Sequence, residues 1–69
     1  SQTYCVTAQS GLNVRANPMI REGNVIALIP FQTAVTTDGA RMNVNWQPVN
    51  LPNGERGYVH TDHIRPCGP

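Results

Sequence analysis

Few residues in this chain have the types and spacing to do chemistry. His60-Thr61-Asp62-His63 sets two imidazoles three positions apart with a carboxylate between them, and a helical turn there would bring both rings toward one ion. Two histidines and one carboxylate are an incomplete set for structural zinc, so the segment reads as a solvated polar turn, with neither metal nor cofactor expected. Nucleophilic catalysis needs a nucleophile, a base and an orienting group. Ser10 is the hydroxyl nearest to qualifying, but it stands in a Ser-Gly turn, where serine serves local hydrogen bonding. The only thiols, Cys5 and Cys67, are expected to be oxidised, and the expectation is that the chain is not an enzyme.

Binding chemistry is better represented. Arg15 carries a planar fork suited to carboxylates, with internal pairing to Glu22 or Asp62 as the alternative use. Asn17 and Pro18 follow it in a loop, as turn-formers first and contacts second. Three aromatic residues are candidate contacts, because aromatic faces hold sugars and peptide backbone by stacking and dispersion. Trp46 either seals one end of the fold or binds, Tyr58 points away from the inward Val59, and Phe31 follows Pro30 in a turn, with core burial as its alternative. The expected ligand-binding residues are therefore Arg15, Asn17, Pro18, Phe31, Trp46 and Tyr58.

Charge narrows the partners. The net charge is +1 and all five basic residues are arginines, so no basic field exists to hold a phosphate backbone and nucleic acid is excluded as a partner. No apolar run is long enough for membrane insertion. At 69 residues the chain has room for one domain, 1–69, and one small core, and an added constraint is expected. Cys5 and Cys67, one near each end, suit a clasp. Pairing them closes a loop of about 60 residues and contributes roughly 4 kcal/mol in the chain-entropy account. Such a bridge implies an oxidising compartment, and a start at Ser1 without methionine fits a processed secreted chain or a domain cut from a larger one.

The elements that must position these groups are short strands. Residues 3–8 read as a first strand, and Leu12-Asn13-Val14-Arg15 alternates cleanly, with Leu12 and Val14 inward. Val25 to Ile29 is apolar throughout, with Val25, Ala27 and Ile29 set toward the core and Ile26 and Leu28 expected to be partly covered. Thr33 to Thr37 and Asn45 to Leu51 follow, separated by a polar loop from Asp38 to Asn43. Pro48 marks an edge or a bulge, which would let Trp46 and Val49 both reach the core. Asn53-Gly54 predicts a type I′ hairpin turn into Arg56 to His60. Thr61 to His63 predicts one tight turn, and Ile64 begins a closing strand. Five to seven short strands with a single 3-10 turn near the C-terminus predict an all-β, curled antiparallel barrel.

Laid out this way, the chain resembles the bacterial SH3 domains, the SH3b modules of cell-wall hydrolases and other envelope proteins. The matching residues are Tyr4 to Ala8, Leu12-Asn13-Val14-Arg15, Pro18, Val25 to Ile29, Thr33, Val35, Trp46 with Val49, and Asn53-Gly54 leading to Gly57-Tyr58-Val59 and Ile64. Gln32 and Ala27 stand where the family commonly has glycine, His63 where an aromatic is common, and the terminal cysteines are an addition. The resemblance implies an SH3-like barrel that recognises peptidoglycan or a wall peptide and targets or orients an adjacent catalytic domain. Docking on its own or another envelope protein is the alternative that it allows. It further implies an extracytoplasmic setting, whether secreted, periplasmic or bound to the wall, and the chain is read as a monomer. The polyproline ligands of eukaryotic SH3 domains are not implied, since the clustered acidic loop and paired tyrosines are missing.

Overall fold

The computed structural model describes residues 2–37, 39–41 and 43–68. Seven short strands form one curled antiparallel sheet: β1 (Gln2–Val6), β2 (Leu12–Arg15), β3 (Val25–Ile29), β4 (Ala34–Thr37), β5 (Trp46–Asn50), β6 (Arg56–His60) and β7 (Ile64–Pro66). A 3-10 turn, Thr61–His63, joins β6 to β7, and the strand order is β3-β2-β6-β5-β4-β1-β7. This is the SH3-like barrel that the strand pattern predicts.

The core is a β-branched one because each strand must fill it from alternate positions. Val6, Val14, Val35, Val49 and Val59 are almost wholly buried, with Leu12, Ile29 and Leu51 beside them. Tyr4, Ala8, Ala27 and Ile64 pack around this cluster. The first and last strands are clasped by the Cys5–Cys67 disulfide, with 5.1 Å between the Cα atoms. Its cysteines sit on β1 and just beyond β7, which pair directly.

Four local expectations need correction. First, β3 carries a bulge: Val14 opposes Ala27 but Arg15 opposes Val25, leaving Ile26 as the extra residue. The extra residue breaks the alternation, so Val25 is exposed rather than inward. Second, Leu28 is 63% exposed and is not covered by loops.

Third, β5 runs without a bulge, in continuous register with β6 from Trp46↔His60 to Asn50↔Arg56. Trp46 and Val49 therefore face opposite sides. Gln47, Val49 and Leu51 turn inward, while Trp46 is buried on the other face. Pro48 is tolerated because β4 and β5 share one register pair only, Thr36↔Asn50, so β5 is an edge at Pro48. The buried Gln47 amide donates to the carbonyl of Gly39 at 3.1 Å. Asp38 and Met42, within the expected polar loop, lie outside the described residues.

Fourth, the hairpin turn is not type I′. Gly54 has φ +91° but Asn53 is not left-handed, and the Gly54 N–H donates to the Leu51 carbonyl at 2.9 Å while Leu51 N–H donates to Glu55 at 2.8 Å. Pro52 and Asn53 thus occupy the centre of a type I turn, and Gly54 supplies the left-handed residue that closes a three-residue loop.

One position departs from what its backbone asks for. Gln32 has φ 68°, left-handed geometry that costs a side-chain-bearing residue about 1 to 2 kcal/mol. It holds the connection in place by donating its N–H to the Val6 carbonyl at 3.0 Å. Gln32→Gly relieves the strain and gives back part of the gain as unfolded-chain entropy. We expect a net stabilisation of about 0.5 to 1 kcal/mol, read as a melting temperature higher by about 4 °C; an unchanged or lower value would count against it.

Candidate functional site

Three strands and three connections enclose a surface groove of about 430 Å³. Trp46 and His60 are paired across β5 and β6. Their rings meet edge-on, with centroids 5.3 Å apart and planes at 73°. The alternation that sends Val59 and Val49 inward sends these two rings to the opposite face, where they form the floor. Asn13 and Arg15, the outward residues of β2, line the next strip.

The rims come from turns. Ala8 to Gly11 is a tight turn in which Gly11 N–H donates to the Ala8 carbonyl at 3.0 Å, and it contributes Ala8 and Ser10 to the groove. Thr7 N–H donates to the His63 carbonyl at 2.8 Å, which brings this turn against the 3-10 segment carrying Asp62 and His63. That segment is held from the other side by Thr61, whose N–H reaches the Asn45 carbonyl at 2.8 Å and whose hydroxyl reaches the Val44 carbonyl at 2.9 Å.

The remaining rim is Ile20, on the 16–24 connection. Buried Asn24 closes that loop, donating through Nδ2 to the Met19 carbonyl at 2.9 Å and accepting at Oδ1 from Arg15 Nη1 at 2.8 Å. Ala16 N–H also donates to the Asn24 carbonyl at 2.8 Å. Arg15 Nη1 lies 3.4 Å from the Arg21 carbonyl as well. The internal partner of Arg15 is thus Asn24, and neither Glu22 nor Asp62.

Of the six expected contact residues, the fold gathers Arg15 and Trp46 in the groove. Tyr58 is half-buried beside it, paired with Arg15 on β2 and Pro48 on β5, and lines its own depression with Pro48, Arg56 and Gly57. Asn17 is exposed and Pro18 half-buried, and neither lines the groove. Phe31 borders two depressions elsewhere, one beside the disulfide and one with Leu28 and Pro30. Sequence reasoning left out His60, His63, Asp62, Asn13, Ser10 and Ile20 as groove residues. For His60 a signal existed: it shares the outward face of β6 with Tyr58. For Ile20 no periodic pattern exists, because it sits in an irregular loop.

Among the described residues no group of three or more histidine, cysteine or acidic side chains could hold a metal ion. His60 Nδ1 instead accepts a hydrogen bond from the Asp62 N–H at 3.2 Å. The groove lies on a small, disulfide-clasped SH3-like barrel. The profile of the bacterial SH3 domain matches residues 10–65, and the chain belongs to that family. No significant match was found among curated proteins or solved structures. Bacterial SH3 domains are a family of binding domains, typically extracytoplasmic, and a disulfide fits such a compartment. No helix among the described residues is long and apolar enough to cross a membrane.

Proposed function

We propose that this domain is a non-catalytic binding module that recognises bacterial peptidoglycan through its peptide portion, in an extracytoplasmic setting, and there targets or orients a catalytic partner domain. The observation that supports this reading is the groove, with a buried tryptophan in its floor, a guanidinium fixed at one side and an exposed isoleucine on its lip. Such a mixture of aromatic, cationic and apolar surface suits a short peptide, whose backbone offers acceptors and whose side chains are small. Tyr58, paired with Arg15 across β2 and β6, and Asn17 and Pro18, on the connection that carries Ile20, would meet a longer ligand. Purified murein sacculi provide the test: the domain should sediment with them at both low and high salt. A protein left in the supernatant under both conditions overturns the reading.

A second reading rests on a different observation. Leu28, 63% exposed, and Phe31, 42% exposed, line one shallow depression with Pro30, and small monomers seldom leave such surface bare. This would be the face that docks on the protein's own catalytic domain or on another envelope protein. The double variant Leu28→Glu, Phe31→Ser tests whether this face is separate from the wall-binding one. A folded variant that keeps its sacculus binding but no longer associates with the adjacent catalytic domain supports the apolar face as a protein-docking surface, and loss of sacculus binding places the wall ligand on this face and overturns the groove.

A further inference from the structure

Tryptophan N–H groups find a partner when they are buried, and Trp46 departs from this. The residue is 8% exposed, its ring packed against the edge of His60. Among the described residues its indole N–H has no hydrogen-bond partner. Yet no buried side-chain nitrogen or oxygen in the described protein is left unsatisfied. The indole N–H must therefore reach solvent, and the small exposed part of Trp46 opens on the groove.

The neighbouring polar groups have the same character. Arg15 commits Nη1 to Asn24 Oδ1 and lies near the Arg21 carbonyl with the same nitrogen, so Nε and Nη2 make no bond among the described residues. Asn24, itself 7% exposed, fixes where that fork stands. His60 uses Nδ1 as an acceptor for the Asp62 N–H, which in the neutral ring leaves the proton on Nε2. Three donors on three adjacent strands thus border one cleft, and one of them carries a permanent positive charge. What satisfies such a set is an anionic, planar acceptor.

We propose that the groove binds the free carboxylate of a short peptide, with an oxygen on the Trp46 indole N–H, the charge against Arg15, and the adjoining small apolar side chain against Ile20. This rests on reading the groove as a peptide site and adds the group it selects. Asp62 is exposed at the rim and opposes the same carboxylate by like charge.

Trp46 is the only tryptophan in the chain, so ¹⁵N-labelled protein shows one indole N–H resonance and the donor can be watched without mutating it. The probes are N-acetyl-alanyl-alanine, in L and D forms, and the C-terminal amide of each. At least one acid should move the indole resonance saturably, and its amide should bind about tenfold more weakly, the loss of one charge-assisted contact. Asp62→Asn should tighten binding of the acid about twofold, the scale of an exposed charge pair. Equal binding of acid and amide, or shifts confined to resonances outside the groove, overturns the proposal. If no acid moves the indole although the same protein sediments with sacculi, the carboxylate assignment fails and the wall-binding reading stands. If neither occurs, both fail.

Discussion

Reducing the Cys5–Cys67 bridge is expected to lower the melting temperature of this domain by about 15 °C or more. The cysteines are 62 positions apart, so the bridge closes almost the whole chain, and the loop-entropy account assigns it about 4 kcal/mol. That is most of what a core this small supplies beyond conformational entropy. The fold adds a local reason. Strand β7 pairs with β1 alone, over three register pairs, and lies at an end of the sheet. Released from β1, it carries the Thr61–His63 turn with it, and that turn is one rim of the groove. Thermal unfolding followed by far-ultraviolet circular dichroism, with and without reductant and in a Cys5→Ser, Cys67→Ser variant, checks this. Coincident curves would show that the bridge contributes little.

Gly57→Ala is expected to be the most damaging single-methyl change, costing about 2 to 3 kcal/mol and about 10 °C or more in melting temperature. Gly57 is buried on β6, against Val14 and Arg15 of the neighbouring β2. A Cβ built there would run into Val14 Cγ1, with the Arg15 carbonyl and Ile26 Cδ1 each at 3.1 Å. Val14 is wholly buried and cannot withdraw, and the carbonyl belongs to the β2 backbone, so the strands themselves must part. Gly39→Ala is the control. Its backbone is not left-handed and the nearest atom to an added Cβ is Pro48 Cγ at 3.9 Å, so it should change stability by no more than about 0.5 kcal/mol. Equal melting temperatures for the two variants would refute the close-packing argument.

Gly57 also shows how far the chain could be read in advance. As part of Gly57-Tyr58-Val59 it carries the family resemblance, and the resemblance names glycine there without saying why. The answer is a long-range contact between β2 and β6. Gln32 is the converse: family glycine replaced, left-handed φ retained. The alternating segments were legible almost to the residue, because period two assigns a face to each side chain as soon as one apolar position is taken as inward. Leu12–Arg15, Val25–Ile29 and Arg56–His60 have the bounds that their patterns predict. The facing of Val25 was not legible, since the bulge that turns it outward depends on the register that β3 takes against β2. Nor was the type of the hairpin turn, where Pro52 ahead of Asn53 selects a three-residue loop over the two-residue one.

The candidate site follows the same division. Local sequence determined an all-β chain of short strands, an inward set of valines, an outward set containing Arg15, Tyr58 and His60, and a terminal clasp, because these depend on alternation, turn chemistry and two cysteines. Which outward residues meet was decided by tertiary structure alone. Register across β2, β6 and β5 puts Arg15 beside Tyr58 and Trp46 beside His60, the Thr7 to His63 hydrogen bond draws in the last turn, and Asn24 folds Ile20 over the edge. None of these pairings is encoded by spacing along the chain, since each joins segments whose approach is fixed by how the shared core closes.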